Sequence, residues 1–507
     1  MIRLIDAALN KITMYRLALY ELLFLLLAAE VLGYFGYLSY APQYVLLSVV
    51  FLICVSWIVN KIFAFMFDAP VNPESAYITA LILALIITPP SSWADPHYLA
   101  LAFWAAALAM ASKYILAMRG KHIFNPAALG IALTALALNQ SASWWVGTVP
   151  MLPLVALGGL LIVRKIRRFD LFFAYLAGLS ATIVYFEFFK GFAVFNTITH
   201  SLLYAPVLFF ATVMLTEPLT TPPTRHSRIL YGVLVGCLFA PEVHIGSFYL
   251  TPELALLIGN VFSYLVSPKE KLLLYLKQAT RLSPDVYEFA FATAQSFSYR
   301  PGQYMEWTLA HRSSDTRGVR RYFTLASSPT EAHLKLGVKF NAPHSSFKQA
   351  LLSMKQGDAV VASGLSGDFV LPKDKTKKLV FIAGGIGVTP FRSMVQHLRD
   401  TREKRDIVLL YSSKTPADAT YRDIFDYAQK ELGVRIIYAF TNIPAAQVPA
   451  GALSSIDAQT IAQNIPDWRE RTFYISGPQG MVTTFRKILL QMGVKRYHIK
   501  TDYFPGF

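Results

Sequence analysis

The stretch KLVFIAGGIGVTPFRSMV, residues Lys378–Val395, decides the fold of the second half of the chain. It opens with an apolar run typical of a buried parallel strand, passes through a glycine-rich turn and ends in a helical pattern. A strand, a glycine turn and a helix in this order form a phosphate-binding loop, because the helix N-terminus attracts anions. The residues expected to cradle the phosphate are Gly384, Gly385, Gly387, Thr389 and Pro390.

Three further apolar segments follow this loop. They are DIVLLYSSKT (406–415), RIIYAFT (435–441) and TFYISGP (472–478), with helical patterns between them. Alternating strands and helices are typical of a parallel α/β sheet with a nucleotide at its carboxyl edge. The sequence therefore predicts a parallel α/β nucleotide-binding domain at the end of the chain.

Two polar segments precede the loop. In RYFTLASSP (321–329), Arg321 and Phe323 share one face of a predicted strand, because alternate side chains of a strand point the same way. One could meet a phosphate and the other cover a flat ring. In HSSFKQALL (344–352), Ser345 and Ser346 stand at a predicted helix start, which suits a pyrophosphate. Each segment taken alone could equally be surface decoration.

The first half of the chain has a different composition. Of the 507 residues, 54% are hydrophobic, and long apolar runs dominate from Leu17 to Val266. After Ser267 the composition is ordinary for a soluble protein, which predicts a membrane half and a soluble half that meet near Pro268. The net charge of +16 fits basic cytoplasmic loops better than nucleic-acid binding, since no recognisable nucleic-acid module is present.

The two cysteines lie inside apolar runs and are too few for a four-cysteine iron–sulfur cluster, so no metal site is predicted. A membrane-spanning helix needs roughly 20 apolar residues, and Lys and Arg concentrate in the connections that would be cytoplasmic if the N-terminus is cytoplasmic. The pattern predicts a polytopic α-helical membrane domain of about ten spans with both termini in the cytoplasm. The candidate spans are 15–39, 42–66, 76–90, 97–117, 125–139, 146–163, 170–190, 201–216, 229–241 and 250–266.

Two polar stretches interrupt the membrane half. In GKHIFNPAALG (120–130), Asn125 is a plausible helix cap before Pro126, and the helix start could face an anionic cofactor together with Lys121. The alternative is an ordinary helix start. MLTEPLTTPPTRHSR (214–228) is either a loop or irregular backbone that lines a cavity.

The soluble motifs, in their order, resemble the ferredoxin–NADP reductase superfamily over roughly 272–507. The resemblance implies a flavin-binding β-barrel at 272–372 and an NAD(P)-binding α/β domain at 377–507, preceded by the membrane domain at 1–267. It implies that Arg321 binds flavin phosphate, that Phe323 packs on the isoalloxazine and that Thr324 lies near its N5 atom. Ser345 and Ser346 match the pyrophosphate segment, which suggests FAD over FMN.

The same resemblance extends to SGPQGM (476–481), where the family usually has Cys-Gly-Pro. Ser476 replaces the cysteine near the reacting nicotinamide carbon, next to Gly477 and Pro478, so Thr324 and Ser476 are the predicted catalytic residues. The C-terminal aromatic residue Phe507 could cover the flavin ring. Lys414 and Arg422 follow the second nucleotide strand, where they could meet an adenosine 2′-phosphate or form a solvated basic turn; NADH and NADPH both stay open.

The membrane half resembles the flavin-carrying integral membrane proteins of Rnf-type electron transport complexes and of sodium-translocating NADH:quinone reductases. The resemblance rests on KHIFNPAALG (121–130), FFATVMLTEPLTTP (209–222) and the number of spans. The family often carries flavin on the threonine of a Ser-Gly-Ala-Thr signature, which this chain lacks. The resemblance therefore implies at most a non-covalent FMN or riboflavin, near Asn125 and Thr216.

Two functions follow as hypotheses. In the first, a membrane oxidoreductase oxidises cytoplasmic NAD(P)H at FAD and passes electrons through the membrane domain to a quinone or an extracytoplasmic acceptor. In the second, a transporter-like or ion-translocating membrane protein is regulated or driven by a redox-sensing reductase domain. The first is favoured because a hydride-accepting module is fused to a flavin-type membrane module, on the side that the positive charges predict.

Overall fold

The structure is a computed structural model that divides into two compact units, Met1–Lys269 and Glu270–Phe507, and each is described by itself. Within residues 5–504 it describes everything except 7, 10–11, 68–72, 119–120, 191–193, 268–270, 296, 312–314, 316–317, 341, 343 and 445–446.

The first unit is helical. Its apolar residues form one continuous core, in which helices from both halves of the unit meet. Two short hairpins interrupt the helices, β1 with β2 (Ala117–Met118 and Lys121–His122) and β3 with β4 (His244–Ile245 and Phe248–Tyr249). The helices are Met14–Tyr34, Pro42–Met66, Pro73–Ile86, Pro96–Ile115, Pro126–Leu138, Leu152–Ile166, Phe169–Lys190, Val194–Tyr204, Arg225–Phe239 and Pro252–Val266.

Four helices in the described part of the chain are long and apolar enough to cross a membrane: Met14–Tyr34, Pro42–Met66, Pro96–Ile115 and Phe169–Phe189. A fifth crossing exists if Val194–Tyr204 and Val207–Met214 form one broken span. The other helices are shorter. The unit is therefore a helical region with four to five apolar spans.

One predicted span is corrected by the structure. The sequence predicted a continuous helix at 201–216, but the chain bends by 70° between Val194–Tyr204 and Val207–Met214. The bend falls at Ala205-Pro206, because proline cannot donate a backbone hydrogen bond and disfavours a helical residue before it. The helix then continues as a π-helical turn over Phe210–Met214, a local form that is rare and often marks a functional position.

The second unit begins with an antiparallel sheet of six strands. The strand order is β8-β7-β10-β5-β6-β9. Residues of β5 alternate between buried and exposed over Leu272–Leu276, so one face of the sheet packs inward. Beyond the end of β8, the amide of Ala326 donates to the carbonyl of Lys335 in β9 (2.8 Å). The strands are β5 Leu272–Ser283, β6 Val286–Ala292, β7 Tyr304–Thr308, β8 Arg320–Thr324, β9 Leu334–Lys339 and β10 Ala359–Ser366.

A parallel sheet of five strands follows, in the order β13-β12-β11-β14-β15. The chain moves outward from β11 through β12 to β13, then crosses to β14 on the other side of β11 and ends at β15. The point where the order reverses, between β11 and β14, is where such sheets bind ligands at their carboxyl edge. The strands are β11 Leu379–Gly384, β12 Ile407–Ser413, β13 Arg435–Phe440, β14 Thr472–Pro478 and β15 Ile499–Phe504.

Helices cover both faces of the parallel sheet. On one face Phe381 packs in a core cluster with Phe391 of the helix Thr389–Asp400. On the other face Ile382 and Ile475 pack with Leu489 of the helix Gln479–Gln491. Fully burying one such side chain stabilises the folded state by about 1.5–3 kcal/mol. Because helices cover both faces of the sheet, its strands carry apolar side chains on both faces. The remaining helices of the unit are Ser346–Ser353, Arg422–Glu431 and Ala458–Asn464.

Candidate active site

The side chains of β8 show the predicted alternation. Arg321 pairs with Trp307 and Phe323 with Met305 across β7, and both of those partners are fully buried. The side chains of Arg321 and Phe323 thus lie on the inner face of the sheet. The ring of Phe323 lies 5.8 Å from the ring of Phe347, and the Arg321 guanidinium lies over the same Phe347 ring at 5.4 Å. A cation and an aromatic ring therefore stand together, as the period of the strand predicted.

The helix Ser346–Ser353 begins beside this pair. Ser345 caps it, and its hydroxyl accepts from the Lys348 amide (3.3 Å). The amide of Ser346 donates to Oδ2 of Asp315 (3.1 Å), and Oδ1 of the same carboxylate pairs with Nη2 of Arg321 (3.4 Å). The predicted helix start and Arg321 thus converge on one anion-binding position.

The buried hydroxyls that have no hydrogen-bond partner among the described residues include Oγ1 of Thr324 and Oγ of Ser476. Thr324 is 4% exposed and Ser476 is fully buried. Leaving a buried hydroxyl unpaired costs about 1–3 kcal/mol, so such atoms commonly face a ligand. The residues present therefore fit a bound flavin and a nicotinamide: both predicted catalytic positions keep free hydrogen-bonding capacity.

The glycine loop is built for close approach. A Cβ on Gly387 would lie 2.5 Å from the Cα of Gly477 and from the carbonyl oxygen of Ser476, so only glycine fits there. A Cβ on Gly384 would lie 3.3 Å from Cδ of Pro478. The loop after β11 and the loop after β14 thus meet at the carboxyl edge where the strand order reverses.

The helix after this loop starts as the sequence predicted. Gly385 has φ +50°, a left-handed conformation that favours glycine, and it opens a short 3₁₀ turn over Gly385–Val388. Thr389 is the first residue of the helix Thr389–Asp400, with Pro390 second, where a missing amide proton costs nothing. The Thr389 hydroxyl donates to the carbonyl of Ile386 (3.1 Å).

The antiparallel sheet packs directly against this loop. A Cβ on Gly337 of β9 would lie 2.7 Å from Cγ2 of Thr389 and 3.3 Å from Cδ1 of Ile386. Gly302 makes a similar approach to Met394 of the following helix, whose Cε would lie 2.5 Å from an added Cβ. The antiparallel sheet of β5 to β10 (the flavin-type sheet) and the glycine loop after β11 (the nucleotide loop) therefore form one continuous site.

A buried ion pair, which sequence reasoning missed, joins the same two parts. Arg392 of the helix Thr389–Asp400 is 3% exposed, and its guanidinium contacts both carboxylate oxygens of Glu331. Burial raises the pKa of Glu331, but the hydrogen bonds and charge of Arg392 outweigh it, and the net pKa lies below the usual value. Arg392 lies within the Lys378–Val395 stretch but was not a predicted site residue, and Glu331 lies outside every predicted motif, so only their spatial contact identifies the pair.

The next positions are those that the sequence proposed for the choice between NADH and NADPH. Lys414 directly follows β12, and its carbonyl accepts from the Asn442 amide (2.9 Å). The guanidinium of Arg422 lies over the Tyr438 ring at 5.2 Å, a cation–π contact that holds it near the end of β13. Phe507 lies outside the described residues, so its predicted position over the flavin stays a prediction.

A buried polar cluster lies in the membrane unit. Asn125 caps the helix Pro126–Leu138 as predicted, accepting from the Ala128 amide (3.1 Å), and its Nδ2 donates to Oε2 of Glu217 (2.9 Å). Nε2 of His122 lies 3.3 Å from Oε1 of Glu217. Thr216 follows the π-helical turn Phe210–Met214, and its hydroxyl donates to the carbonyl of Thr212 in that turn (2.6 Å), so the structure does not bring that hydroxyl to Asn125.

A third helix completes the cluster. Oδ1 of Asn260, a fully buried side chain, accepts from the Asn125 amide (2.8 Å), and its Nδ2 donates to the Tyr231 hydroxyl (3.2 Å). Sequence reasoning missed both residues, although an asparagine inside the apolar run LLIGNVFSYLV is a signal, since polar groups within a span are costly and usually functional. No cluster of three or more His, Cys, Asp or Glu side chains that could hold a metal ion occurs in the described parts of the chain.

Comparison with known families assigns each region. Residues 273–371 match the oxidoreductase FAD-binding domain, and residues 381–487 match the oxidoreductase NAD-binding domain. Residues 146–270 match the NQR2, RnfD, RnfE family, a range that includes 209–222.

Relatives match the reductase half. An NADPH oxidoreductase of Mycobacterium tuberculosis is 30% identical over 211 residues, which are 40% of this chain and 52% of that protein. A flavohemoprotein of Bacillus thuringiensis is 26% identical over 215 residues, 41% of this chain and 53% of that protein. The chain thus spans about half the length of these relatives. A ferredoxin–NADP⁺ reductase structure from Neisseria gonorrhoeae with bound FAD and NADP aligns with a TM-score of 0.40 and 18% identity, over 47% of this chain and 99% of that one.

The matches define a chain with an FAD-binding and an NAD-binding oxidoreductase domain. This chain has a third region in addition to these two domains. It fuses the FAD-binding and NAD-binding oxidoreductase domains to a membrane domain of the NQR2, RnfD, RnfE family.

Proposed function

We propose that the chain is a membrane oxidoreductase that oxidises cytoplasmic NAD(P)H at FAD and passes the electrons through its membrane domain to a quinone or an extracytoplasmic acceptor. The observation that carries the first step is the contact between the two half-sites. Gly337 of the flavin-type sheet touches Thr389 of the nucleotide loop, so a flavin and a nicotinamide bound at these places would be neighbours. Holding two reactants adjacent is the main contribution of a protein to such a reaction.

On the flavin side, Arg321 and the start of the helix at Ser345 and Ser346 bind the flavin phosphates by charge and by backbone amides. Phe323 presents an aromatic face to the isoalloxazine ring of the flavin. The buried hydroxyl of Thr324 supplies a hydrogen bond near the N5 atom of that ring. FAD, when bound, supplies the chemistry that takes a two-electron hydride and releases single electrons. The family resemblance and the orphaned Thr324 hydroxyl support these assignments.

On the nucleotide side, the loop with Gly384, Gly385 and Gly387 binds the coenzyme phosphates at the start of the helix at Thr389-Pro390. Ser476, followed by Gly477 and Pro478, faces the nicotinamide with its unpaired hydroxyl. The C-terminal aromatic Phe507, which lies outside the described residues, is proposed to cover the flavin ring. Lys414 and Arg422 carry the choice between NADH and NADPH, which stays open.

For the membrane part, we propose ten spans with both termini cytoplasmic and domain limits of 1–267, 272–372 and 377–507. The basic residues of the predicted cytoplasmic connections support this topology. A second, non-covalent flavin, FMN or riboflavin, binds near Asn125 and the Thr216-Glu217 turn. The buried cluster of Asn125, Glu217 and Asn260 supports a polar ligand there.

The test is purification of the full chain in detergent and flavin analysis before and after acid precipitation. One released FAD and no other flavin would remove the second flavin from the proposal. Anaerobic NAD(P)H should bleach all flavin absorbance, and a quinone or an external acceptor should restore it.

The alternative is a transporter-like or ion-translocating protein that the reductase domain regulates or drives. The 70° break at Val194–Tyr204 and Val207–Met214 favours it, because interrupted helices frame the substrate sites of many transporters. If bleached flavin is restored by no quinone and no external acceptor, this alternative replaces electron transfer across the membrane.

A further inference from the structure

The carboxylate of Asp315 contacts both of the groups that are proposed to bind the flavin phosphate. Oδ2 of Asp315 accepts from the backbone amide of Ser346 at 3.1 Å. Oδ1 of Asp315 contacts Nη2 of Arg321 at 3.4 Å. These are the helix start and the guanidinium that the proposed function gives to a phosphate, so a side chain of the protein already stands where that phosphate would bind.

The hydroxyl of Ser346 is committed elsewhere. Nδ1 of His311 lies 2.8 Å from the Leu309 carbonyl, which can only accept, so Nδ1 carries a proton. Nε2 of His311 lies within hydrogen-bond distance, 2.9 Å, of Oγ of Ser346. The same Oγ accepts from the Asp315 amide (2.9 Å). Among the donors of Ser346, only its backbone amide faces an anion, and Asp315 holds it.

A buried guanidinium needs a partner. Arg321 is 8% exposed, and a buried charge without an opposite charge is strongly destabilising. Asp315 supplies that charge, and the amide at the helix start adds a second favourable contact. Phosphate and carboxylate oxygens compete for the same two donors, because both are anions that suit a guanidinium fork and a helix N-terminus.

We propose that Asp315 is a resident counter-anion of the flavin phosphate site, which the flavin phosphate displaces on binding. The carboxylate stabilises the protein before flavin binds and lowers its affinity for flavin by the same interactions. This inference rests on the proposed function, since it takes Arg321 and Ser346 as phosphate ligands. Asp315 thus acts on flavin affinity by occupying the phosphate position and takes no part in the hydride step.

The test compares flavin binding by the full chain in detergent after its flavin has been stripped. Asp315→Asn removes the charge and keeps the size of the side chain. The matched control is Asp285→Asn, which removes a carboxylate of the same domain that pairs with Lys339 at 3.0 Å on the surface. FAD is titrated by quenching of its fluorescence, and thermal unfolding is followed without flavin and with sodium pyrophosphate alone.

Asp315→Asn should bind FAD more tightly on the order of tenfold, because a site that is rarely competent loses affinity by the competent fraction. Its flavin-free form should melt at a lower temperature than the wild type, and pyrophosphate should raise that temperature more in the variant. Asp285→Asn should behave as the wild type in the FAD and pyrophosphate measurements. Asp315→Ser serves as the second variant if the asparagine protein does not fold.

The outcomes separate the inference from the function on which it rests. Equal or weaker FAD binding by Asp315→Asn, with wild-type binding intact, overturns the counter-anion and leaves the proposed function standing. If neither the wild type nor the variants bind FAD, the proposed flavin site fails and the inference fails with it. Pyrophosphate that stabilises wild type and variant equally also overturns the inference, because no competing carboxylate would then be displaced.

Discussion

Arg392 and Glu331 form a two-point ion pair between the helix that follows the nucleotide loop and the turn before β9. Nη2 of Arg392 lies 2.9 Å from Oε1 of Glu331, Nη1 contacts Oε2, and Nη1 also donates to the carbonyl of Ala326 (3.1 Å). Two parallel charge-assisted hydrogen bonds fix relative orientation as well as distance. The pair therefore holds the nucleotide loop in register with the flavin-type sheet.

Replacing Arg392 with Met should destabilise the second unit by about 1.5–3 kcal/mol, because Glu331 loses its charge-assisted hydrogen bonds to Arg392 and keeps only the ion pair with Lys335 (3.0 Å). Reduction of bound flavin by NAD(P)H should slow as well, since the loop and the sheet lose their fixed register. Stopped-flow absorbance of the flavin and urea unfolding measure the two effects. The control is Arg399→Met on the same helix, whose guanidinium lies over the Tyr427 ring at 4.3 Å; equal losses in both variants would contradict the role of the pair.

The ion pair between Arg392 and Glu331 also makes the stability of the second unit depend on pH in the acid range. The folded-state pKa of Glu331 lies below its usual value, because the hydrogen bonds and charge of Arg392 outweigh burial. Its stabilisation is then complete above the unfolded pKa of about 4.3 and is lost as pH falls through the folded pKa. Glu331→Gln should be less stable than wild type at pH 7, and the difference should shrink below pH ~4. A difference in melting temperature that stays constant from pH 7 to pH 3 would contradict this.

Arg321→Ala should lose FAD occupancy while the membrane unit stays folded. The guanidinium is the only side-chain cation assigned to the flavin phosphate, and charged hydrogen bonds of this kind contribute about 1.5–3 kcal/mol, or roughly 10- to 150-fold in affinity. Arg321→Lys should recover part of the loss, because lysine keeps the charge without the fork.

The control for Arg321 is Arg281→Ala, a surface cation of the same sheet that donates to the carbonyls of Ser283 and Pro284. Flavin content per chain in purified protein and helical circular dichroism measure the outcome. Full FAD occupancy in Arg321→Ala would remove this residue from the site.

Gly387→Ala should abolish coenzyme binding and leave FAD in place. The new methyl group would lie 2.5 Å from atoms of Gly477 and Ser476, which forces the two loops at the carboxyl edge apart. Gly480→Ala is the matched control, because an added Cβ there has no atom within 4 Å and alanine favours the helix Gln479–Gln491. Coenzyme titration of the oxidised protein should show the difference; unchanged affinity in Gly387→Ala would place the nicotinamide nucleotide elsewhere.

The local parts of this fold were predictable. Lys378–Val395 forms a strand, a glycine turn and a helix as predicted, because each element is written in consecutive residues. Arg321 and Phe323 share a face because strands repeat every two residues. The edge strand Ile499–Phe504 was missed: IKTDYF has no apolar run, and its conformation comes from pairing with β14.

The contacts between distant segments were not predictable. Arg392 and Glu331 are 61 positions apart, and neither was a predicted site residue. The Asp315 carboxylate reaches Ser346 across 31 positions. The bend at Ala205-Pro206 was missed because hydropathy averages over the proline. Local patterns therefore specify the elements of this protein, and packing specifies how its site is closed.

The membrane cluster offers the sharpest test of where the electrons go. Glu217 accepts from Nδ2 of Asn125 (2.9 Å) and lies 3.3 Å from Nε2 of His122. Glu217→Gln keeps the size of the side chain and removes its charge. If this cluster binds the second flavin, the variant should reduce its FAD with NAD(P)H at the wild-type rate and pass electrons to a soluble dye normally.

Transfer to quinone should fall in Glu217→Gln by at least tenfold, because only the step through the membrane domain depends on the cluster. Glu242→Gln, in the loop after the helix Arg225–Phe239, is the control and should keep both rates. Equal slowing of dye and quinone reduction would mean that the substitution disturbs folding. An unchanged quinone rate would contradict the assignment of the second flavin to the cluster of Asn125 and Glu217.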